Sequence, residues 1–239
     1  MPLPALTDAN RARLRGVSTA TLTTLLFKRG LRNALIQGVL PVNPAAPRMV
    51  GEAYTLRTIP AREDLDHMGV VADRSHPQRR GVEEIPAGHV MVIDSRQDAR
   101  AASAGGILIA RMMARGAAGV VTDGGFRDTP DLARLDFPVY AARPSAPVSL
   151  ILHHAADLGV PIGCGGVPVY PGDIAVGDGE GVVIVPAHLA NELAEEGAAM
   201  TEFEDWVEQQ VRAGRSTFGL YPPDDATRAE FAAWKAGRP

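Results

Sequence analysis

A single cysteine, Cys164, stands in a chain of 239 residues. That excludes an intrachain disulfide framework and any multi-cysteine zinc site. Long apolar runs are missing as well: nothing approaches the ~18 residues that a membrane span requires. The start, Met1-Pro2-Leu3-Pro4, lacks a basic segment followed by an apolar one, so no secretory signal is expected and a cytoplasmic location is. Nor is there a basic excess. Lys and Arg number 24 against 28 Asp and Glu, a net charge of −4. A chain that lives on phosphate contacts shows a basic excess or a basic face, so neither nucleic acid nor membrane is expected as a partner. Arginines do cluster at Arg11, Arg13 and Arg15 and at Arg79-Arg80; they read as solvated helix and loop charges. Aromatics make up only 5%, whereas glycine (25) and proline (19) are plentiful. This mixture suits tight turns joining short strands and helices around a core of small residues. The length suffices to bury such a core unaided. No composition shift marks a linker, so residues 1–239 read as one domain with helical extensions at both ends.

Local signals fill in the order of elements. Thr7-Asp8 can cap a helix toward Arg15, and Ser18 a second from Thr19 to Lys28, ending at Gly30. Met49 to Ile59 is rich in β-formers and closes at Pro60, which predicts a strand. Asp73 to Glu84 is polar and charged and predicts an exposed loop. His89 to Asp94 and Gly119 to Asp123 are apolar without alternation, as buried parallel strands are. Between them a helix runs from Ile107 toward Gly116. A short helix at Asp128 to Leu135 and a strand at Pro138 to Ala141 complete a strand–helix rhythm. The fold class is α/β, with parallel-sheet crossovers. Val167 to Val169, Asp173 to Val176 and Gly181 to Val185 predict a second, smaller and more antiparallel β layer. Ala187 to Arg212 predicts a long acidic helix, with a tail from Tyr221-Pro222-Pro223.

Two glycine-marked strand ends carry the chemistry. In Ser103-Ala104-Gly105-Gly106-Ile107-Leu108, paired glycines at a helix start expose successive backbone N–H groups. The orphan amides and the helix dipole both favour a carboxylate or phosphate there. In Asp123-Gly124-Gly125-Phe126-Arg127-Asp128, just past a buried strand, Arg127 offers a planar donor fork for a carboxylate or an enolate oxygen. Asp128 offers a hard oxygen ligand for Mg²⁺ or Mn²⁺. Taken alone, this pair also reads as a surface ion pair or a helix cap. Other candidates have blander readings. Cys164 among glycines reads as a packed small residue, since nothing there lowers its pKa. Leu150-Ile151-Leu152 before His153-His154 suggests a helix with one His facing the core and the other water. Asp64-Leu65-Asp66-His67 has ligand types without diagnostic spacing. Asp173, Asp178 and Glu180 read as turn formers.

These residues resemble the RraA-like family, which includes class II 4-hydroxy-4-methyl-2-oxoglutarate / 4-carboxy-4-hydroxy-2-oxoadipate aldolases. The resemblance is carried by Gly105 to Leu108, Arg115 to Asp128, Val160 to Val167, Pro171-Gly172-Asp173 and Gly181 to Pro186; it is strongest over residues 88–186. It implies a β/β/α swivelling-domain fold. It also implies a homotrimer or a dimer of trimers with sites between subunits, and a divalent metal, Mg²⁺ or Mn²⁺, near Asp128. Arg127 would contact the keto oxygen of a pyruvate-type substrate, and the amides of Gly105, Gly106, Ile107 and Leu108 would hold its carboxylate. Cleaving a C–C bond beta to a ketone leaves an enolate, which a metal and an arginine stabilise where its charge develops. Many relatives carry an acidic residue where Gly106 stands. The aldolases also use a glutamate from a neighbouring subunit, for which Glu202, Glu204 and Glu208 are candidates.

The expectation is a metal-dependent lyase on a 2-oxo acid, with oxaloacetate decarboxylation as a side activity. Two alternatives stay open. One is a hydro-lyase or other lyase on sugar-derived acids with the same metal–arginine grip. The other is a non-catalytic regulator of an endoribonuclease.

Overall fold

A computed structural model describes residues 5–238. The chain opens with α1 (Asp8–Gly16) and α2 (Thr19–Lys28). Thr7 and Ser18 cap them, accepting from the Asn10 and Thr21 amides at 3.2 and 3.0 Å. Next come β1 (Leu40–Pro41), β2 (Met49–Pro60), α3 (Pro77–Glu84), β3 (Val90–Asp94), β4 (Ala102–Ala104) and α4 (Gly106–Ala114). The middle holds β5 (Gly119–Thr122), β6 (Gly125–Phe126), α5 (Thr129–Leu132), β7 (Val139–Ala141), β8 (Arg143–Pro144) and β9 (His153–Leu158). The chain finishes with β10 (Ile162–Cys164), β11 (Val167–Val169), β12 (Ile174–Asp178), β13 (Gly181–Val185), α6 (Ala190–Arg212) and α7 (Asp225–Ala236).

The main sheet has eight strands in the order β1-β7-β5-β3-β2-β12-β13, with β9 also pairing β2. Strands β2, β3, β5 and β7 are parallel neighbours; β12, β13, β9 and β1 join antiparallel. The ends of the sheet curl toward each other, so β1 lies beside β13. Period-two alternation then sorts side chains between inside and outside. Val90, Val92, Val121, Ala175 and Ile184 face inward. They pack there against Ile162, Cys164, Val167 and Val169 of the small antiparallel β10–β11 hairpin. Of the three segments expected in a second β layer only Val167 to Val169 lies there; the other two, as β12 and β13, extend the main sheet through pairing with β2. Outward-facing Met91, Ile93 and Val120 are covered by Val82 and Ile85 at the α3 end and by Ile109 and Met112 of α4. On the other flank, Val50, Val176, Val183 and Val185 are covered by Leu14, Leu22, Leu25 and Leu193 of α1, α2 and α6. Among the described residues, no helix is long and apolar enough to cross a membrane.

Three further local expectations are corrected. The polar stretch Asp73 to Glu84 is not all loop, because Pro77 opens α3 and Gly81 and Val82 bury its inner face. Proline fits the first turn, where its missing N–H costs nothing. His153 and His154 lie on strand β9, not on a helix; a short 3-10 turn, Ser149–Ile151, precedes it. The chain beyond Pro223 is not a tail. Asp224 caps α7, and Phe231 and Trp234 pack onto Phe203 and Trp206 of α6.

Candidate active site

The site forms where two crossovers leave the sheet side by side. Strand β4 runs straight into Gly105, which is extended (φ −126°, ψ 177°) and provides no side-chain cap for α4. The first amides of α4 therefore look outward for partners. Leu108 and Ile109 both donate to the Gly105 carbonyl at 3.1 Å. The Gly106 N–H donates to Asp128 Oδ2 at 2.9 Å. Among the described residues the Ile107 N–H meets no protein acceptor.

Beside this turn, β6 pairs parallel to β4, and the Arg127 N–H donates to the Ala104 carbonyl at 3.1 Å. Phe126 is fully buried and anchors the segment, leaving Arg127 and Asp128 half-exposed at its end. Asp128 holds a left-handed backbone (φ 61°, ψ 27°). That conformation is uncommon for a residue with a Cβ, and Asp and Asn tolerate it best. Its carboxylate does not cap α5, the helix it precedes; it reaches across to α4 instead. Arg127 Nε stands 3.7 Å from Asp128 Oδ1, near enough for attraction and too far for a hydrogen bond. Arg127-Asp128 is thus a half-exposed ion pair, as one of its plainer readings has it, but its carboxylate serves the start of α4 and not that of α5.

Both side chains share one open cavity of about 420 Å³ with the Gly105–Leu108 turn. Its other walls come from Met68, Val71, Gln78, Arg79 and Val148–Leu150. Two of these, Arg79 as a solvated charge and Leu150 as part of a helix, figure in the sequence reading, and none of them is assigned to the site there. The one available signal was Arg79, a cation in the first turn of α3, where the helix dipole disfavours it. Gly105 is required by space: a Cβ there would stand 2.8 Å from Arg127 Cγ, 2.9 Å from its Cδ and 3.0 Å from Asp128 Oδ2. At Gly106 a Cβ would meet Asp128 only at 3.5 Å, an ordinary contact.

A buried polar frame lies behind the site. Asp123 is 3% exposed and accepts from the Ser95, Gln97 and Gly165 amides at 2.7, 3.0 and 3.0 Å. The Ser95, Ser103 and Thr122 hydroxyls close a ring of 2.7–3.0 Å contacts. Such a satisfied network fixes the loops that carry Arg127 and Asp128.

The remaining candidates fall elsewhere. Cys164 is fully buried, and burial pushes its thiol well up, as befits a packing residue. His153 is buried against the Ala101 carbonyl, and burial lowers its pKa; His154 instead hydrogen-bonds Asp66 at 2.9 Å. Asp64 pairs with Arg62 at the surface, and His67 caps the 3-10 turn that follows it. Asp173 binds the Tyr170 and Ala187 amides, and Asp178 those of Thr19 and Glu180, so both order turns; Glu180 stays exposed. Glu202 pairs with Lys235, Glu204 accepts from Tyr221, and Glu208 pairs with Arg212. All three candidate glutamates are thus engaged within their own chain.

Among the described residues no group of three or more His, Cys, Asp or Glu is placed to hold a metal. That does not suit an ion that needs several protein ligands. Asp128 presents one hard carboxylate whose Oδ1 makes no hydrogen bond. One carboxylate completed by substrate oxygens and waters is a donor set that Mg²⁺ or Mn²⁺ accepts.

Comparison with known proteins agrees with this frame. A Halalkalibacterium halodurans protein provisionally named 4-hydroxy-4-methyl-2-oxoglutarate aldolase is 32% identical over 157 residues, 66% of this chain and 68% of that one. The crystal structure of Streptomyces coelicolor RraAS2, described as an unusual member of the RNase ES inhibitor RraA family, superposes with a TM-score of 0.74. It is 27% identical and covers 87% of this chain and 99% of its own. An uncharacterised protein from Pseudomonas syringae shares the fold at a TM-score of 0.77 and 22% identity, over 91% of this chain and 99% of that one. The RraA-like family model, described as Aldolase/RraA, matches residues 4–184, and the chain belongs to that family.

Proposed function

We propose that this protein is a divalent-metal-assisted lyase. It would cleave a 2-oxo acid of the 4-hydroxy-4-methyl-2-oxoglutarate type and release pyruvate through its enolate. The observation that carries the reading is the convergence, in one cavity, of the Arg127 guanidinium, the Asp128 carboxylate and the amide end of α4. The name of the Halalkalibacterium relative supports it.

In this reading the substrate carboxylate lies against the Ile107 amide and the α4 N-terminus, where the helix dipole favours an anion. The Arg127 fork donates to the keto oxygen. Breaking the C3–C4 bond sends its electron pair toward that oxygen, and Arg127 stabilises the charge as it develops. A cation held at Asp128 would supply Lewis acidity toward the same oxygen. The C4 hydroxyl gives up its proton to water in the open cavity as the leaving fragment becomes a ketone, since Asp128, the one carboxylate among the described lining residues, is the group that would hold the cation. The only lysines, Lys28 and Lys235, sit on α2 and α7 away from the cavity, which disfavours a Schiff base within this chain.

The test is pyruvate release from 4-hydroxy-4-methyl-2-oxoglutarate and from oxaloacetate, with and without EDTA. Turnover should require the metal, and Arg127→Ala and Asp128→Ala should each lose about 10²-fold or more in kcat/KM. Near-wild-type activity in either variant removes that residue from its role. The likeness to RraAS2 favours a second reading, inhibition of an endoribonuclease. It predicts no turnover, and inhibition that survives Asp128→Ala.

A further inference from the structure

Arg79 lines the same cavity as Arg127 and makes no close ion pair; on its other side it borders a cleft with Asp73, Glu83 and Glu84, where Glu83 feels its charge at longer range. Among the described residues no carboxylate lies within 4 Å of it, and it makes no side-chain hydrogen bond. Its own helix could have paired it. Glu83, one turn on, is at the spacing that suits an ion pair. Yet Glu83 is taken by Arg111 at 2.8 Å, and the next acid, Glu84, by Arg80 at 2.9 Å. Position in the helix gives no reason for a cation either, because Arg79 sits in the first turn, at the positive end of the dipole. Its backbone is nonetheless held in place: the neighbouring Gln78 Nε2 donates to the Ser103 carbonyl at 2.5 Å, tying the start of α3 to the strand that feeds Gly105. The cavity walls thus carry two guanidiniums against one carboxylate, in a chain whose net charge is −4. Between the charged groups the lining is apolar, from Met68, Val71, Leu108 and Leu150. Its volume of about 420 Å³ exceeds what a three-carbon acid fills.

We infer that Arg79 is the residue that binds the far carboxylate when a 2-oxo dicarboxylic acid occupies this site. This rests on the functional reading above, which places the 2-oxo carboxylate at Arg127 and α4. The far carboxylate then meets Arg79, and the intervening methylene or methyl groups lie on the apolar wall. Arg79 is a specificity residue here, with no part in bond cleavage.

The experiment compares binding of 2-oxoglutarate and 2-oxopentanoate, five-carbon acids differing only in the far carboxylate, by calorimetry with Mg²⁺ present. Wild type, Arg79→Gln, Arg79→Lys and Arg127→Gln are measured. Wild type should prefer 2-oxoglutarate by about tenfold or more, as a charge-assisted bond gives. Arg79→Gln should erase that preference without changing 2-oxopentanoate binding, Arg79→Lys should keep part of it, and Arg127→Gln should weaken both ligands. Equal affinities in wild type, or a preference that survives Arg79→Gln, overturns the inference while leaving the lyase reading intact. Binding of neither acid to wild type, with no change in Arg127→Gln, overturns both together.

Discussion

Gly105 and Gly106 are adjacent, yet they should respond oppositely to the same added methyl group. At Gly105 the new Cβ would stand 2.8 and 2.9 Å from Arg127 Cγ and Cδ. Relaxed carbon contacts lie near ~3.5–4.0 Å, so the arginine stem must move by roughly 0.6–1.2 Å. Cγ and Cδ are the root of that side chain, not its free end, and the shift carries the guanidinium with it. The same Cβ presses on Asp128 Oδ2 at 3.0 Å. Because φ is −126°, alanine meets no backbone strain, and stability should hardly change. A misplacement of about 1 Å in a catalytic group can cost ~10²-fold. Gly105→Ala should therefore keep the wild-type melting temperature and lose about 10²-fold in kcat/KM for pyruvate release. Gly106→Ala meets Asp128 only at 3.5 Å and replaces a poor helix former at the start of α4. It should retain activity and gain up to ~1 kcal/mol of stability. Matched losses in the two variants, or full activity in Gly105→Ala, would refute the claim that Arg127 works from the position described.

Acid should destabilise the protein from the neutral side. Burial holds the His153 and His76 pKa values below 6.5, so the unfolded chain protonates first as pH falls. The stability is present above pH 6.5 and drains away below it, by at most about 1.4 kcal/mol per pH unit for each histidine. A melting series from pH 8 to 5 should show that slope and a shallower one in His153→Gln; equal slopes would exclude His153. Cys164 should resist thiol reagents in the native state and react only in denaturant, because it is fully buried with a raised pKa. Rapid native labelling would contradict that burial.

The site was readable wherever a glycine pair follows a buried strand. Gly105 and the Gly124-Gly125 pair mark turns that need small residues, and each turn is followed by groups that face the cavity. The handedness of Asp128 gave no signal, because aspartate is equally at home as an ordinary cap. In α3, two arginines and two glutamates outweigh Val82 in composition, although one buried face is enough to fix a short helix against the sheet. In α7, Pro222-Pro223 reads as an ending. The helix forms because Asp224 binds the Thr227 amide at 2.8 Å and Phe231 meets Phe203 at 5.1 Å, and pattern along the chain does not announce such a meeting. Arg79 was missed for a related reason: its companions in the cavity come from segments far apart in sequence.

Strand β2 is hydrogen-bonded to β3, β9 and β12, the last of which is encoded more than a hundred residues after it. During synthesis, at roughly 5–20 residues per second, β2 must wait many seconds with open backbone edges before those partners emerge. The nascent protein therefore passes through an interval in which its central strand can pair with a neighbouring chain, and a co-translational holdase should raise the yield of native material.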